Sequence, residues 1–126
     1  MPRLFTPAQA NRTLPLVRRI VGDILSRGGE LRTLVEAHPQ GLPPEHHERA
    51  GRLDGELREL FRELERIGCS FRDAGFQRGL VDFPARIDGE DVLLCWQTEE
   101  PAVAWYHAPE AGFAGRTPIP EELLSE

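Results

Sequence analysis

The sequence has little cysteine, no surplus of positive charge and no long apolar run. Its two cysteines, Cys69 and Cys95, make no CxxC pair and no Cys/His cluster, which excludes a dense disulfide framework and a zinc-finger spacing. That usage suits two reduced, partly buried thiols, with a bridge between them allowed by count alone. Fifteen Lys and Arg stand against 21 Asp and Glu, a formal charge of −6, whereas a nucleic-acid binder carries a basic face. No stretch nears the roughly 20 apolar residues of a membrane span. The opening "MPRLFTPAQA" lacks the apolar core of a secretory signal. Neither HExxH nor GxGxxG occurs. These absences together predict a cytoplasmic protein with no membrane partner and no nucleic-acid partner.

What is present is one domain's worth of chain, 126 residues with 40% hydrophobic and 29% charged content. Its first half, about residues 6–68, reads as a helical hairpin. Thr6 can cap a helix, Pro7 suits its first position, and Gln9 stands where a capping box needs Glu or Gln. Pro15 predicts a kink, or a division into a short first piece and a main one. Leu14, Val17, Val21, Ile24, Gly28, Leu31 and Val35 recur at alternating spacings of three and four. Gly28 and Gly29 interrupt that stripe, so either the helix is locally weak or another backbone comes close. "GLPP" marks a turn. A second helix is predicted over 44–67, with the stripe Ala50, Leu53, Leu57, Leu60, Leu64 and Ile67, and Gly68 as its C-cap. Glu45 with Arg49 and Glu48 with Arg52 stand four apart in the favourable order. Ile20, Leu25, Leu34 and Phe61 widen the two seams. That extra apolar surface calls for the sheet, a second subunit or both, and a homodimer is expected from it. His46 and His47 are adjacent, so they diverge on a helix and read as solvated first-turn residues.

The second half, about residues 71–120, reads as a three-stranded antiparallel meander followed by an irregular tail. Asp88-Gly89 between apolar runs predicts a type I′ hairpin turn. In that register Ile87 faces Glu90, Ala85 faces Val92, Phe83 faces Leu94 and Val81 faces Trp96, all on one nearly apolar face. The other face pairs Arg86 with Asp91, Pro84 with Leu93 and Asp82 with Cys95. Pro84 suits an edge or a bulge. "AVAWYH" supplies the third strand. The fold class is therefore α+β, a long antiparallel helical hairpin packed with this small sheet.

The runs "GLVDFPA", "LCW" and "WYHAPEAGFAGR", with the opening "FTPAQANRTLPLVRRI", resemble a prokaryotic family, the domain of unknown function 2203. The likeness covers nearly the whole chain. It implies a small bacterial cytoplasmic protein and brings no activity with it. Glu99 stands where the family tends to have a turn glycine.

The polar candidates cluster late in the chain. Asp82 interrupts an apolar strand, and a carboxylate there needs donors. Arg116 is the expected donor, in a pair that would pin the tail to the sheet. His107 ends the third strand and Glu110 follows three residues later, so both can reach one ligand. The functional version has Asp82, His107 and Arg116 converging on a small anionic ligand, with Glu110 beside them. Asp73 and Arg78 are further pocket candidates whose plainer reading is solvated loop. Cys95 and His107 are expected on opposite faces, which argues against a Cys–His pair. Trp96 and Trp105 read as core or interface aromatics. "GFAG" reads as a tight turn with Phe113 tucked in, not as a phosphate cradle. No cofactor is named, and spacing assigns no metal ligands. Two functions follow: a binding or scaffold homodimer, or a small-molecule or metal-dependent enzyme built on Asp82, His107, Glu110 and Arg116.

Overall fold

A computed structural model describes residues 3–73 and 75–125. Helix α1 runs from Pro7 to Glu36 and α2 from His47 to Ile67, joined by a loop that ends in a 3₁₀ turn, Pro44–His46. The start of α1 carries the full capping box: the Gln9 backbone N–H donates to Thr6 Oγ1, and the Thr6 N–H donates to Gln9 Oε1. Pro15 does not divide the helix, which continues through it. Gly68 closes α2 at φ 111°, a left-handed conformation that a residue with a Cβ resists.

Five antiparallel strands follow in simple meander order: β1 Ser70–Phe71, β2 Val81–Ile87, β3 Glu90–Trp96, β4 Trp105–His107 and β5 Thr117–Pro118. A short helix α3, Glu121–Leu124, lies beyond them. The β2–β3 register is the one the sequence predicts at all seven pairs, from Val81 opposite Trp96 to Ile87 opposite Glu90. Asp88 and Gly89 both take positive φ, 52° and 80°, as a type I′ turn demands. Two-residue β1 and β5 extend the predicted three strands at either edge. β1 pairs only with Val81 and Asp82, so Pro84 lies on a stretch of β2 that β1 no longer covers. There the Phe5 N–H donates to the Pro84 carbonyl.

The core lies between the hairpin and one face of the sheet. Leu14, Val17, Ile20, Val21 and Ile24 of α1 and Leu57 and Leu64 of α2 pack with Val81, Phe83, Ala85, Leu94 and Trp96. Of the residues that widen the seams, Ile20 lies in this core and Leu25 and Phe61 pack against it half-buried. Large exposed hydrophobics among the described residues are Leu4, Leu16 and Val35, which are scattered and form no face. Gly28 has neither of the predicted explanations: the ring of Phe76, not a backbone, lies against it, where a Cβ would stand 2.3 Å from the ring. Asn11 ties the helix to the sheet. Its side-chain amide donates to the Val103 carbonyl at 3.0 Å and its Oδ1 accepts from the Val103 N–H at 2.8 Å. That two-way clamp sets where the chain enters β4. No helix among the described residues is long and apolar enough to cross a membrane.

Candidate functional site

The outer face of the sheet, away from the helices, carries the polar chemistry. Strand alternation puts Asp82 and Pro84 of β2, Leu93 and Cys95 of β3, and Trp105 and His107 of β4 on this side. Register does the rest. Asp82 stands opposite Cys95, and His107 opposite Leu93, two residues along the same face from Cys95. The expectation that Cys95 and His107 point to opposite faces is therefore corrected. It left out the β3–β4 register, which a connection of eight residues, Gln97–Ala104, does not dictate.

Asp82, Cys95 and His107 are all buried, and one ligand atom from each lies within 4.8 Å of the others. His107 Nδ1 is 2.7 Å from the Ala108 carbonyl, which can only accept, so the ring carries its proton on Nδ1. Its Nε2 faces Asp82 Oδ1 at 3.3 Å. A lone pair cannot rest against a carboxylate oxygen; a proton or a metal ion must lie between them. The second carboxylate oxygen, Oδ2, accepts from Arg72 Nε at 3.3 Å. Arg72 lies just past β1, its backbone N–H bonded to the Leu80 carbonyl.

Burial first, and then the neighbouring Asp82 charge, push the Cys95 thiol up to about 12. That is the opposite of an activated nucleophile. The imidazole also has no free nitrogen to receive the thiol proton, since Ala108 and Asp82 occupy both. The three residues do not form a thiol-based triad. They do fit a metal. Ligands about 2.0–2.1 Å from one tetrahedral ion stand about 3.3 Å apart, a separation that His107 Nε2 and Asp82 Oδ1 meet. A histidine latched through Nδ1 to a carbonyl, with Nε2 turned to the site, is the usual metal-ligand arrangement.

The three side chains share one wall of a cavity of about 320 Å³ that Arg72, Leu80, Pro109, Gly112 and Phe113 complete. Pro109, Gly112 and Phe113 are what the segment after β4 contributes to it. Gly112, at φ 69°, turns that segment into the 3₁₀ turn Phe113–Gly115, the tight turn that "GFAG" predicts.

Residues 3–119 match the family model DUF2203, described as an uncharacterized conserved protein. The chain belongs to this family. Searches of curated proteins and of solved structures find no match. Of the four site candidates in this DUF2203 chain, the fold brings together Asp82 and His107 and leaves out the other two. Glu110 is exposed and away from the cavity wall. Arg116 pairs not with Asp82 but with Glu100, and its guanidinium stacks on Trp105 at 4.7 Å and Phe113 at 4.6 Å. The reason is topological. Thr117 pairs with Tyr106, so the returning tail lies beside β4, with β3 and β4 between it and β2. Asp73 is no pocket residue either. Burial works against its charge, but N–H groups of Gly75, Gln77, Arg78 and Gly79 outweigh that and lower its carboxyl below the usual value. Its work is to close its own loop. Arg78 lies over the Phe113 ring and lines a neighbouring hollow.

Sequence reasoning missed Cys95 as a partner of His107 and Arg72 as a partner of Asp82. The predicted Asp82–Cys95 pairing was the signal for the first. Nothing in the spacing signals the second.

Proposed function

We propose that this chain is a metal-dependent small-molecule enzyme, with Asp82, Cys95 and His107 holding one divalent transition ion. The observation that carries the reading is the cluster: one ligand atom each from buried Asp82, Cys95 and His107 lies within 4.8 Å of the others, and His107 Nδ1 is committed to Ala108 so that Nε2 faces Asp82. A sulfur, nitrogen and oxygen donor set suits zinc. Three protein ligands are also what a catalytic zinc has, where a structural one takes four. All three residues line the cavity, so an ion they held would be reached from it. Such an ion polarises an oxygen-bearing substrate or a bound water. Arg72 holds the second oxygen of Asp82 and so orients that ligand.

The scaffold-homodimer reading has less behind it. Its argument was surplus apolar surface, of which Ile20 and Leu34 are buried and Leu25 and Phe61 half-buried within one chain.

Protein made without a His-tag, dialysed against micromolar zinc and then against metal-free buffer, is expected to retain about one zinc per chain by elemental analysis. Cys95→Ser and His107→Ala are expected to retain none while keeping the wild-type circular dichroism spectrum. Wild-type protein that keeps no zinc, and gains no thermal stability from zinc, cobalt or nickel, would falsify the reading.

A further inference from the structure

We infer that the cavity beside Asp82, Cys95 and His107 takes a small oxyanion, a carboxylate or a phosphate, bound between the metal and the guanidinium of Arg72. The inference rests on the metal reading above and adds to it the class of ligand. Asp82 is the link. Its Oδ1 turns to His107 and its Oδ2 to Arg72, so one carboxylate stands between the metal position and a guanidinium whose side chain is 56% exposed at the cavity mouth. Arg72 spends only Nε on Asp82. Among the described residues its two Nη groups have no hydrogen-bond partner, although the side chain lines the same cavity as the three ligands. A guanidinium with a free pair of parallel donors is built for a planar or tetrahedral oxyanion.

Neighbouring charges agree with this. The acidic site ligand nearest the guanidinium is shared with the metal, and Glu110 is exposed and does not line the cavity. Arg116 lies close enough for its charge to act on Cys95, and its buried Nε has no partner among the described residues, but it is paired with Glu100 and does not line the cavity. The rest of the cavity is apolar: Leu80, Leu93, Pro109 and Phe113. The ligand that fits is therefore small, with an oxyanion head toward metal and Arg72 and a short apolar body toward Phe113. At about 320 Å³ the cavity is at the low end of the range for small-molecule sites.

The test uses cobalt(II) in place of zinc, because its visible spectrum reports both a sulfur ligand and a change at the open position. Full-length protein is loaded with cobalt and titrated with inorganic phosphate in one arm and benzoate in the other. A saturable change in the visible bands with at least one of them is expected, and which arm responds identifies the head group. In Arg72→Gln the cobalt spectrum should persist while anion affinity falls about 10- to 100-fold, the worth of a charge-assisted hydrogen-bonded pair. Arg72→Lys should fall between the two. Cobalt bound in wild type with no response to either anion overturns the oxyanion site and leaves the metal reading standing. Equal anion affinity in Arg72→Gln does the same. Loss of cobalt in Arg72→Gln would assign the guanidinium to Asp82 alone, and it too overturns the inference. No cobalt binding by wild type overturns the metal reading and this one with it.

Discussion

His107 and Asp82 are 25 positions apart in the chain and meet with Nε2 3.3 Å from Oδ1, one strand removed from each other across β3. His107 enters that contact already oriented, because Nδ1 is held at 2.7 Å by the carbonyl of the next residue. The contact makes Asp82 the residue on which the site depends. Asp82→Asn keeps the shape of the side chain and removes its charge. Zinc affinity is expected to fall by at least about 10-fold, the lower bound for disturbing even an outer-shell partner. Competition against a chromophoric chelator measures it. Unchanged affinity would remove Asp82 from the ligand set.

Gly28 and Gly29 should respond in opposite directions to the same substitution. A Cβ at Gly29 meets nothing within 4 Å, so Gly29→Ala is expected to stabilise by up to about 1 kcal/mol through helix propensity. A Cβ at Gly28 would stand 2.3 Å from the Phe76 ring, so Gly28→Ala is expected to cost about 1–3 kcal/mol by overpacking. Adding Phe76→Ala should recover much of the Gly28→Ala loss. Urea denaturation of the double-mutant cycle tests this; strictly additive effects would show that the ring is not what excludes the methyl.

The two thiols should be inert in the native, metal-free protein. Burial pushes Cys69 up to about 12, and burial with the Asp82 charge does the same to Cys95. Their native values lie above the unfolded value of about 8.5. The stability they contribute is therefore full below about pH 8.5 and is lost as pH rises toward 12. The expected result is a urea midpoint that is flat between about pH 7 and 8 and falls above about pH 9, with a shallower fall in Cys69→Ala. Rapid labelling of either thiol by a disulfide reagent at neutral pH, without denaturant, would contradict it.

Arg116 should matter through the tail and not through the site ligands. Its guanidinium is largely buried, paired with Glu100 and stacked between Trp105 and Phe113. Arg116→Ala strands Glu100 and is expected to cost about 3 kcal/mol. Arg116→Lys should recover only part of that, since an ammonium cannot stack as the planar group does. Faster amide exchange over residues 108–116 is the accompanying readout. Zinc stoichiometry should be unchanged, and its loss in Arg116→Lys would tie Arg116 to the metal site after all.

The sequence by itself determined the elements with local causes. The Thr6–Gln9 capping box, the Gly68 cap and the Asp88-Gly89 turn are set by residues within a few positions of one another, and all three form as their chemistry predicts. A two-residue turn leaves a hairpin only one register, so the Asp82–Cys95 pairing was legible as well. Tertiary structure decided the rest, because longer connections leave register free. Contacts distant in sequence hold the eight residues between β3 and β4, Asn11 and Arg18 of α1 at Val103 and Pro101 and the Arg78 carbonyl at Thr98, and the register that follows puts His107 on the face of Cys95. Likewise, pairing Thr117 with Tyr106 carries Arg116 to Glu100 and leaves Asp82 to Arg72. Which residues share the site is thus a property of strand order and long-range clamps, neither of which is written in any short stretch of the chain.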